Sequence, residues 1–165
     1  MRDQRRYFED LEIGEEWTTP SRTLTESDIA WYAGLSGDYE EVHVSEEFAR
    51  NTPFGHRIGH GLLGLTILDG LKTRTSLVTS VMTIASLGWT WDFRRPIRPG
   101  DTLRGHFRIR EMRKTSHGDR GILYIQGELL NHDGEVVQQG ENRMMVACRP
   151  TGATEGRPSG AGSVP

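Results

Sequence analysis

The sequence lacks most of the features that define specialised classes of protein. It has one cysteine in 165 residues, which excludes an intrachain disulfide framework and a cysteine-rich zinc module and is typical of a reducing compartment. No apolar segment approaches the roughly 20 residues of a membrane-spanning helix, and none of signal-peptide type follows the charged N-terminus. The net charge of −3 argues against a surface dedicated to nucleic acid. We therefore expect a cytoplasmic protein that binds neither nucleic acid nor membranes.

Hydrophobic residues are also scarce, at 35% of the chain, and this predicts a thin core. The length suits one domain and is too short for two typical ones. We predict a single domain over residues 1–150 that is stabilised by association with a second copy. Residues 151–165 contain ten Gly, Pro, Ser or Thr residues, a composition that predicts a disordered tail.

Helices are predicted in the first half of the chain, after an extended arm over residues 1–24. Thr25 and Asp28 resemble a capping box, and they predict a helix over 25–36. A short helix is expected over 45–50. The dense apolar stretch from residue 60 to about 72 predicts a mostly buried helix.

The second half of the sequence has the residue patterns that are typical of strands. The predicted strands span residues 78–93, 102–110, 122–130 and 135–148. The sum is an α+β fold in which an antiparallel meander wraps around the long apolar helix, since that arrangement buries the apolar surface of the helix.

A carboxylate and an imidazole, Asp38 and His43, lie five residues apart in the loop after the first predicted helix. Such a pair can hold one water molecule, with one group accepting a proton while the other holds one, as hydration chemistry requires. The alternative is that Asp38 closes an Asx turn and His43 is a surface histidine.

Gly59, Gly61 and Gly64 match the G-x-G-x-x-G pattern of dinucleotide sites. That fingerprint requires a buried strand before it, which residues 51–58 do not resemble, so we expect no dinucleotide cofactor. Glycines that open a helix leave backbone N–H groups free, and these can stabilise a carbonyl oxygen that gains negative charge. Alternatively, the glycines allow close packing of helix against sheet.

Several other polar residues have two interpretations. The spacing of His56 and His60 occurs in zinc sites, but the glycines and proline around them make a poor helix, and we expect no metal. Asp69 is either catalytic or marks the solvent-facing side of its helix. Residues 94–114 carry eight basic and two acidic side chains. This segment either binds a phosphate-bearing ligand or forms a strand face exposed to solvent. Cys148 is expected to be a small core residue.

Five segments resemble the MaoC-like dehydratase family, the R-specific enoyl-CoA hydratases of the hot-dog fold: Phe8–Gly14, Thr23–Asp28, Leu35–Asp38, Ile58–Gly61 and Pro96–Leu103. The resemblance extends over roughly residues 7–148. The family's active loop reads Asp-x-Asn-Pro-x-His, and the outer residues match Asp38 and His43. Glu40 and Glu41 replace the inner Asn-Pro.

The resemblance implies a hot-dog fold and the reversible addition of water to a 2-enoyl-CoA, giving a 3-hydroxyacyl-CoA. Asp38 and His43 would hold the water, and the Gly61 amide would bind the thioester carbonyl. No metal or redox cofactor is implied, and the assembly would be a homodimer or a higher homo-oligomer built from dimers. The further residues expected to contact the substrate are His60, Arg94 and Arg95.

Two rival functions stay open. Other hot-dog families place a catalytic carboxylate on the central helix, where Asp69 lies, so an acyl-CoA thioesterase is one alternative. The other is a non-catalytic subunit that binds acyl-CoA and has lost its chemistry through Glu40 and Glu41.

Overall fold

The structure is a computed structural model that describes residues 5–150, so the predicted tail over 151–165 lies outside the described residues. No helix in the described part of the chain is long and apolar enough to cross a membrane. After a 3-10 turn at Phe8–Asp10, the elements are β1 (Glu16–Thr18), β2 (Arg22–Thr23), α1 (Glu26–Ser36), α2 (Glu41–Val44), α3 (Glu46–Arg50), α4 (Gly61–Lys72), α5 (Ser76–Thr79), β3 (Thr83–Phe93), β4 (Thr102–Lys114), β5 (Arg120–Leu130) and β6 (Val136–Ala147).

The strands form one antiparallel sheet with the order β1-β4-β5-β6-β3, and β2 pairs with β4. The predicted meander is confirmed for β4, β5 and β6. The prediction was wrong for the strand before them, because β3 pairs with β6 at the far edge and not with its sequence neighbour β4. The connection over residues 94–101 carries the chain from that edge past two strands.

Helix α4 packs against the sheet at close range. Leu63, Ile67, Leu68 and Leu71 are buried in the same core as the inward-facing side chains of β4, β5 and β6. The helix approaches β4 so closely that a Cβ atom at Gly105 would lie 2.5 Å from Leu68 Cδ1. The predicted α+β architecture, a sheet around a long apolar helix, is confirmed.

The first predicted helix is confirmed with both of its ends. The Thr25 hydroxyl accepts the Asp28 amide at 3.2 Å, and the Asp28 carboxylate accepts the Thr25 amide at 2.8 Å. Gly37 ends the helix in the left-handed conformation, at φ 78°. The backbone is thereby turned sharply just before Asp38.

Three local predictions were wrong. The extended arm over residues 1–24 contributes β1 and β2 and buries Trp17 and Leu24 in the core. Residues 76–79 form α5, so the strand predicted from residue 78 begins at Thr83. At α5 the Thr79 and Ser80 hydroxyls donate to carbonyls one turn earlier, a local bonding that competes with strand pairing. Residues 41–44, predicted as loop, form the short helix α2.

Candidate active site

Asp38 lies in a tight turn directly after α1. Its amide donates to the Ser36 hydroxyl at 3.2 Å, and its Oδ1 accepts the Glu40 amide at 3.2 Å. The carboxylate therefore does form an Asx-type turn, as the structural alternative predicted. This bond engages one oxygen and fixes the direction of the carboxyl group, whose side chain stays exposed to solvent.

His43 is carried by α2, which begins where the chain departs from the family pattern. Glu40 is the residue before the helix and Glu41 is its first residue. Proline suits the first position of a helix, and an acidic side chain suits its positive end. Glu41 therefore begins the same helix that proline would begin, and the substitution is compatible with the position of His43.

The bonding of the His43 ring fixes its tautomer. The ring is 8% exposed, so His43 is not a surface histidine. Its Nδ1 lies 2.8 Å from the carbonyl oxygen of Ile58. Because a carbonyl only accepts, Nδ1 carries the proton in the neutral ring. The other nitrogen, Nε2, is then an acceptor that can take a proton.

His60 joins the Asp38 turn to the start of α4. It is 2% exposed, and its Nε2 donates to the backbone carbonyl of Asp38 at 3.0 Å. The ring stacks on His43 with 3.9 Å between centroids and contacts Tyr32 at 4.9 Å. Its Nδ1 is buried without a hydrogen-bond partner among the described residues. His60 is thus packed behind Asp38 and His43.

Asp38, His43 and His60 each present a ligand atom within 4.8 Å of the other two. One water molecule can bridge groups at such a separation, since each hydrogen bond spans about 2.8 Å. Zinc would need its nitrogen ligands about 2.0 Å away and converging on one point. The His43 and His60 rings are stacked at 26° between planes, so their in-plane lone pairs run side by side and do not converge. The cluster fits a water better than a metal ion.

Gly61 begins α4 and faces a cavity of about 320 Å³. The first amide of a helix has no acceptor within that helix, so its N–H group can serve a ligand. A Cβ atom at this position would lie 2.7 Å from the Phe93 ring, which explains the glycine. The same cavity is also lined by His43, Phe93, Arg94, Arg95 and Gln138.

Arg94 and Arg95 line the same cavity as His43, each beside an acid. Arg94 pairs with Asp92 at 3.2 Å and Arg95 with Glu135 at 3.3 Å, and all four side chains are largely exposed. Arg108 pairs with Glu16 on the neighbouring strand β1, and Lys114 pairs with Glu9 in the 3-10 turn. Most of the basic segment is therefore a solvated strand face, and its first two arginines lie at the cavity.

The sequence analysis missed Gln138, which lines the cavity, and Trp91, which bonds to Gln138. Gln138 is 1% exposed, and its Nε2 donates to the Gly61 carbonyl at 3.0 Å. Trp91 Nε1 donates to Gln138 Oε1 at 2.9 Å. A signal was present, since successive residues of a strand face opposite sides and one of the adjacent Gln138 and Gln139 had to face the helix.

The remaining candidates lie elsewhere. His56 is exposed and bonds to Glu46 at 3.1 Å, away from the His43 cluster. Asp69 is on the solvent-facing side of α4, paired at 2.6 Å with the buried ammonium of Lys72. Cys148 is buried, and burial followed by the charge of nearby Glu9 raises the pKa of its thiol. Such a thiol is a poor nucleophile.

Comparison with known proteins identifies the family of the chain. Residues 9–125 match the family described as the MaoC like domain. A 3-hydroxybutyryl-CoA dehydratase of Methylorubrum extorquens is 36% identical over 107 residues, which are 64% of this chain and 65% of that protein. The chain thus spans less than two thirds of that curated relative.

Solved structures give the fold. The MaoC-like dehydratase from Rhodospirillum rubrum is 29% identical, with a TM-score of 0.75, over 88% of this chain and 99% of that one. A Mycobacterium tuberculosis protein described as a double hot-dog fold is 20% identical, with a TM-score of 0.76, over 94% of this chain and 48% of that one. The fold is therefore a hot dog, as expected. The chain belongs to the MaoC-like domain family.

Proposed function

We propose that the protein is a hydro-lyase that adds water reversibly to a 2-enoyl-CoA and gives a 3-hydroxyacyl-CoA. One observation carries the proposal: His43 and the first amide of α4 line one cavity, and the Asp38 carboxylate lies within 4.8 Å of the His43 ring. This is an acid–base pair beside a hydrogen-bond donor for a carbonyl oxygen. The names of the relatives, dehydratases of 3-hydroxyacyl thioesters among them, support it.

In the proposed reaction, Asp38 and His43 hold one water molecule. As the water oxygen bonds to Cβ of the substrate, His43 Nε2 takes one of its protons. The π electrons move toward the thioester oxygen, which accepts a hydrogen bond from the Gly61 amide. The Asp38–His43 pair then returns the proton to Cα, so both atoms of the broken O–H bond end on the product. Dehydration follows the same steps in reverse, and no cofactor takes part.

Arg94 and Arg95 would bind phosphate groups of CoA at the mouth of the cavity. Their acidic partners are exposed, and exposed ion pairs exchange partners at little cost. Arg95→Ala is expected to raise KM with kcat unchanged, because a contact to the handle stabilises ground and transition states equally. An unaltered KM would remove this role. Substrate contact by His60 stays a prediction, and its burial favours a supporting role.

The deciding test follows the ultraviolet absorbance of the conjugated thioester with crotonyl-CoA as substrate. We expect the absorbance to decay with wild type and the rate to fall by roughly 10²–10⁴-fold in Asp38→Asn. Asp133→Asn, in the β5–β6 turn, is the matched control and should keep the wild-type rate. Absence of decay with short, long and branched enoyl-CoAs would refute the hydratase.

The same preparation separates the rival functions. Release of free thiol from an acyl-CoA, abolished by Asp69→Asn, would show a thioesterase. Tight binding of enoyl-CoA without turnover would show a non-catalytic subunit.

We further infer that two copies pair through β3. Among the described strands, β3 is an edge of the sheet, and its Ile84 and Leu87 are exposed at 48% and 39%. An open edge with apolar side chains is suited to pairing with another strand. We expect wild type to sediment as a dimer and Leu87→Lys, which places a charge on the proposed interface, to shift toward the monomer. A wild type that sediments as a monomer would refute the pairing.

A further inference from the structure

A chain of two hydrogen bonds connects the sheet to the first residue of α4. The indole of Trp91 donates to Oε1 of Gln138, and Nε2 of Gln138 donates to the Gly61 carbonyl. The carboxamide is 1% exposed and both of its ends are engaged. Because its oxygen is held by a donor, its nitrogen must face Gly61, and the orientation of the amide is fixed.

The surroundings are built for this contact. A Cβ atom at Gly64 would lie 2.6 Å from Cδ of Gln138, so only glycine leaves room for the carboxamide one turn into the helix. In the sheet, Gln138 is directly opposite Phe93, whose ring packs against Gly61. A facing pair from β6 and β3 therefore holds the first residue of α4 from two sides.

We propose that Gln138 is a positioning residue for the thioester-binding amide, an inference that rests on the proposed function. Glycine has the freest backbone of any residue, and the first residue of a helix is the most prone to fray. The amide and the carbonyl of Gly61 share one Cα. By holding the carbonyl, Gln138 limits rotation at that Cα and keeps the N–H group directed into the cavity.

This arrangement matters for the rate more than for binding. An oxyanion donor is effective when it is already oriented toward the oxygen that gains charge, and loss of a whole donor costs roughly 10²–10³-fold in kcat. A loosened donor should cost part of that, about tenfold. The CoA handle is bound elsewhere, so KM should change by less than about twofold.

The test compares Gln138→Met, which keeps the length of the side chain and removes both hydrogen bonds, with wild type on crotonyl-CoA. Gln139→Met, the next residue on the opposite face of β6, is the matched control. Trp91→Phe removes only the indole donor and gives a second, gentler disturbance. Since both residues act through one contact, the double variant should be no slower than Gln138→Met alone.

A spectroscopic reading reports on the carbonyl itself. In the slow Asp38→Asn background, crotonyl-CoA with an isotope-labelled carbonyl is bound and its infrared stretch is measured. We expect the hydrogen bond from Gly61 to lower that frequency, and Gln138→Met to return part of the shift while binding is retained. A purely structural role for Gln138 would leave the stretch unchanged in the folded variant.

The outcomes separate the two proposals. If wild type hydrates crotonyl-CoA while Gln138→Met and Trp91→Phe keep its kcat and the same carbonyl stretch, the positioning inference fails and the hydratase stands. If wild type neither binds nor hydrates enoyl-CoA, the hydratase fails and the inference falls with it. Should Gln138→Met not fold, Trp91→Phe decides by the same two readouts.

Discussion

Two substitutions of His43 separate its chemistry from its structural role. His43→Asn places an amide nitrogen near the position of Nδ1, where it can still donate to the Ile58 carbonyl, but leaves nothing at Nε2. His43→Gln places a polar group near Nε2 and leaves the Ile58 carbonyl without its donor. Neither amide can take a proton at neutral pH, so both variants lack the proposed base.

The two variants should differ in stability and agree in activity. His43→Asn loses the ring stack on His60, worth about 0.5–1.5 kcal/mol. His43→Gln loses the same stack and also leaves a carbonyl oxygen unpaired beside a buried side chain, at a further cost of about 1–3 kcal/mol. Each kcal/mol lowers Tm by about 2–4 °C in a chain of this size. Both should lower kcat by roughly 10²–10⁴-fold.

The assay pairs thermal unfolding with hydration of crotonyl-CoA at a temperature where all variants are folded. His132→Asn, an exposed histidine in the β5–β6 turn, controls for loss of an imidazole and should match wild type. A His43→Asn enzyme with a rate within about threefold of wild type would refute the role of Nε2 as base. Equal Tm values for the two His43 variants would refute the structural role of the Nδ1 bond.

Three further results are expected. Gly61→Ala should lower kcat/KM by more than about tenfold with only a small loss of Tm, because the new methyl displaces the half-exposed Phe93 ring at the cavity; kinetics and thermal melts check it. Burial alone would raise the pKa of Glu9, but the hydrogen bonds from the Lys114 ammonium and the Arg149 amide, together with the Lys114 charge, outweigh it and lower this pKa to about 2. The carboxylate therefore stabilises the folded state at pH values above its unfolded pKa and loses this effect as the pH falls toward 2. The Tm of Glu9→Gln should be lower than that of wild type by the full amount at pH 7, and the difference should shrink between the unfolded pKa and pH 2. Cys148 should react with iodoacetamide at pH 7 more slowly in the folded protein than in urea, because its thiol is buried and its pKa is raised.

Local signals were sufficient for the two longest helices, α1 and α4. Thr25 and Asp28 each accept the other's backbone amide, and the Gly37 amide donates to the Ala33 carbonyl at 2.9 Å, so three residues specify where α1 begins and ends. The apolar density of residues 60–72 likewise specifies α4 without knowledge of its neighbours. The loop pair Asp38 and His43 was found because its spacing is short and its chemistry local.

Long-range pairing was not accessible in the same way. The strand β3 could pair with β4 or with another edge, and the alternation of its residues is the same in both cases. Trp17 belongs to the predicted extended arm, and only its pairing with Phe107 on β4 places it in the sheet. Burial of His60 also depends on contacts across the chain, with Asp38 and His43 on one side and Tyr32 on the other. These are properties of the assembled core.

The glycines at the start of α4 show how one pattern can arise from different physics. In a dinucleotide site, the glycines of G-x-G-x-x-G admit a pyrophosphate to the backbone. Here a Cβ atom at Gly59 would lie 2.9 Å from Ile97, one at Gly61 would meet Phe93, and one at Gly64 would meet Gln138. Each glycine leaves room for a different neighbouring side chain. All three side chains also line the cavity beside the Gly61 amide, so the close packing that was the structural alternative is itself what holds the proposed donor in place.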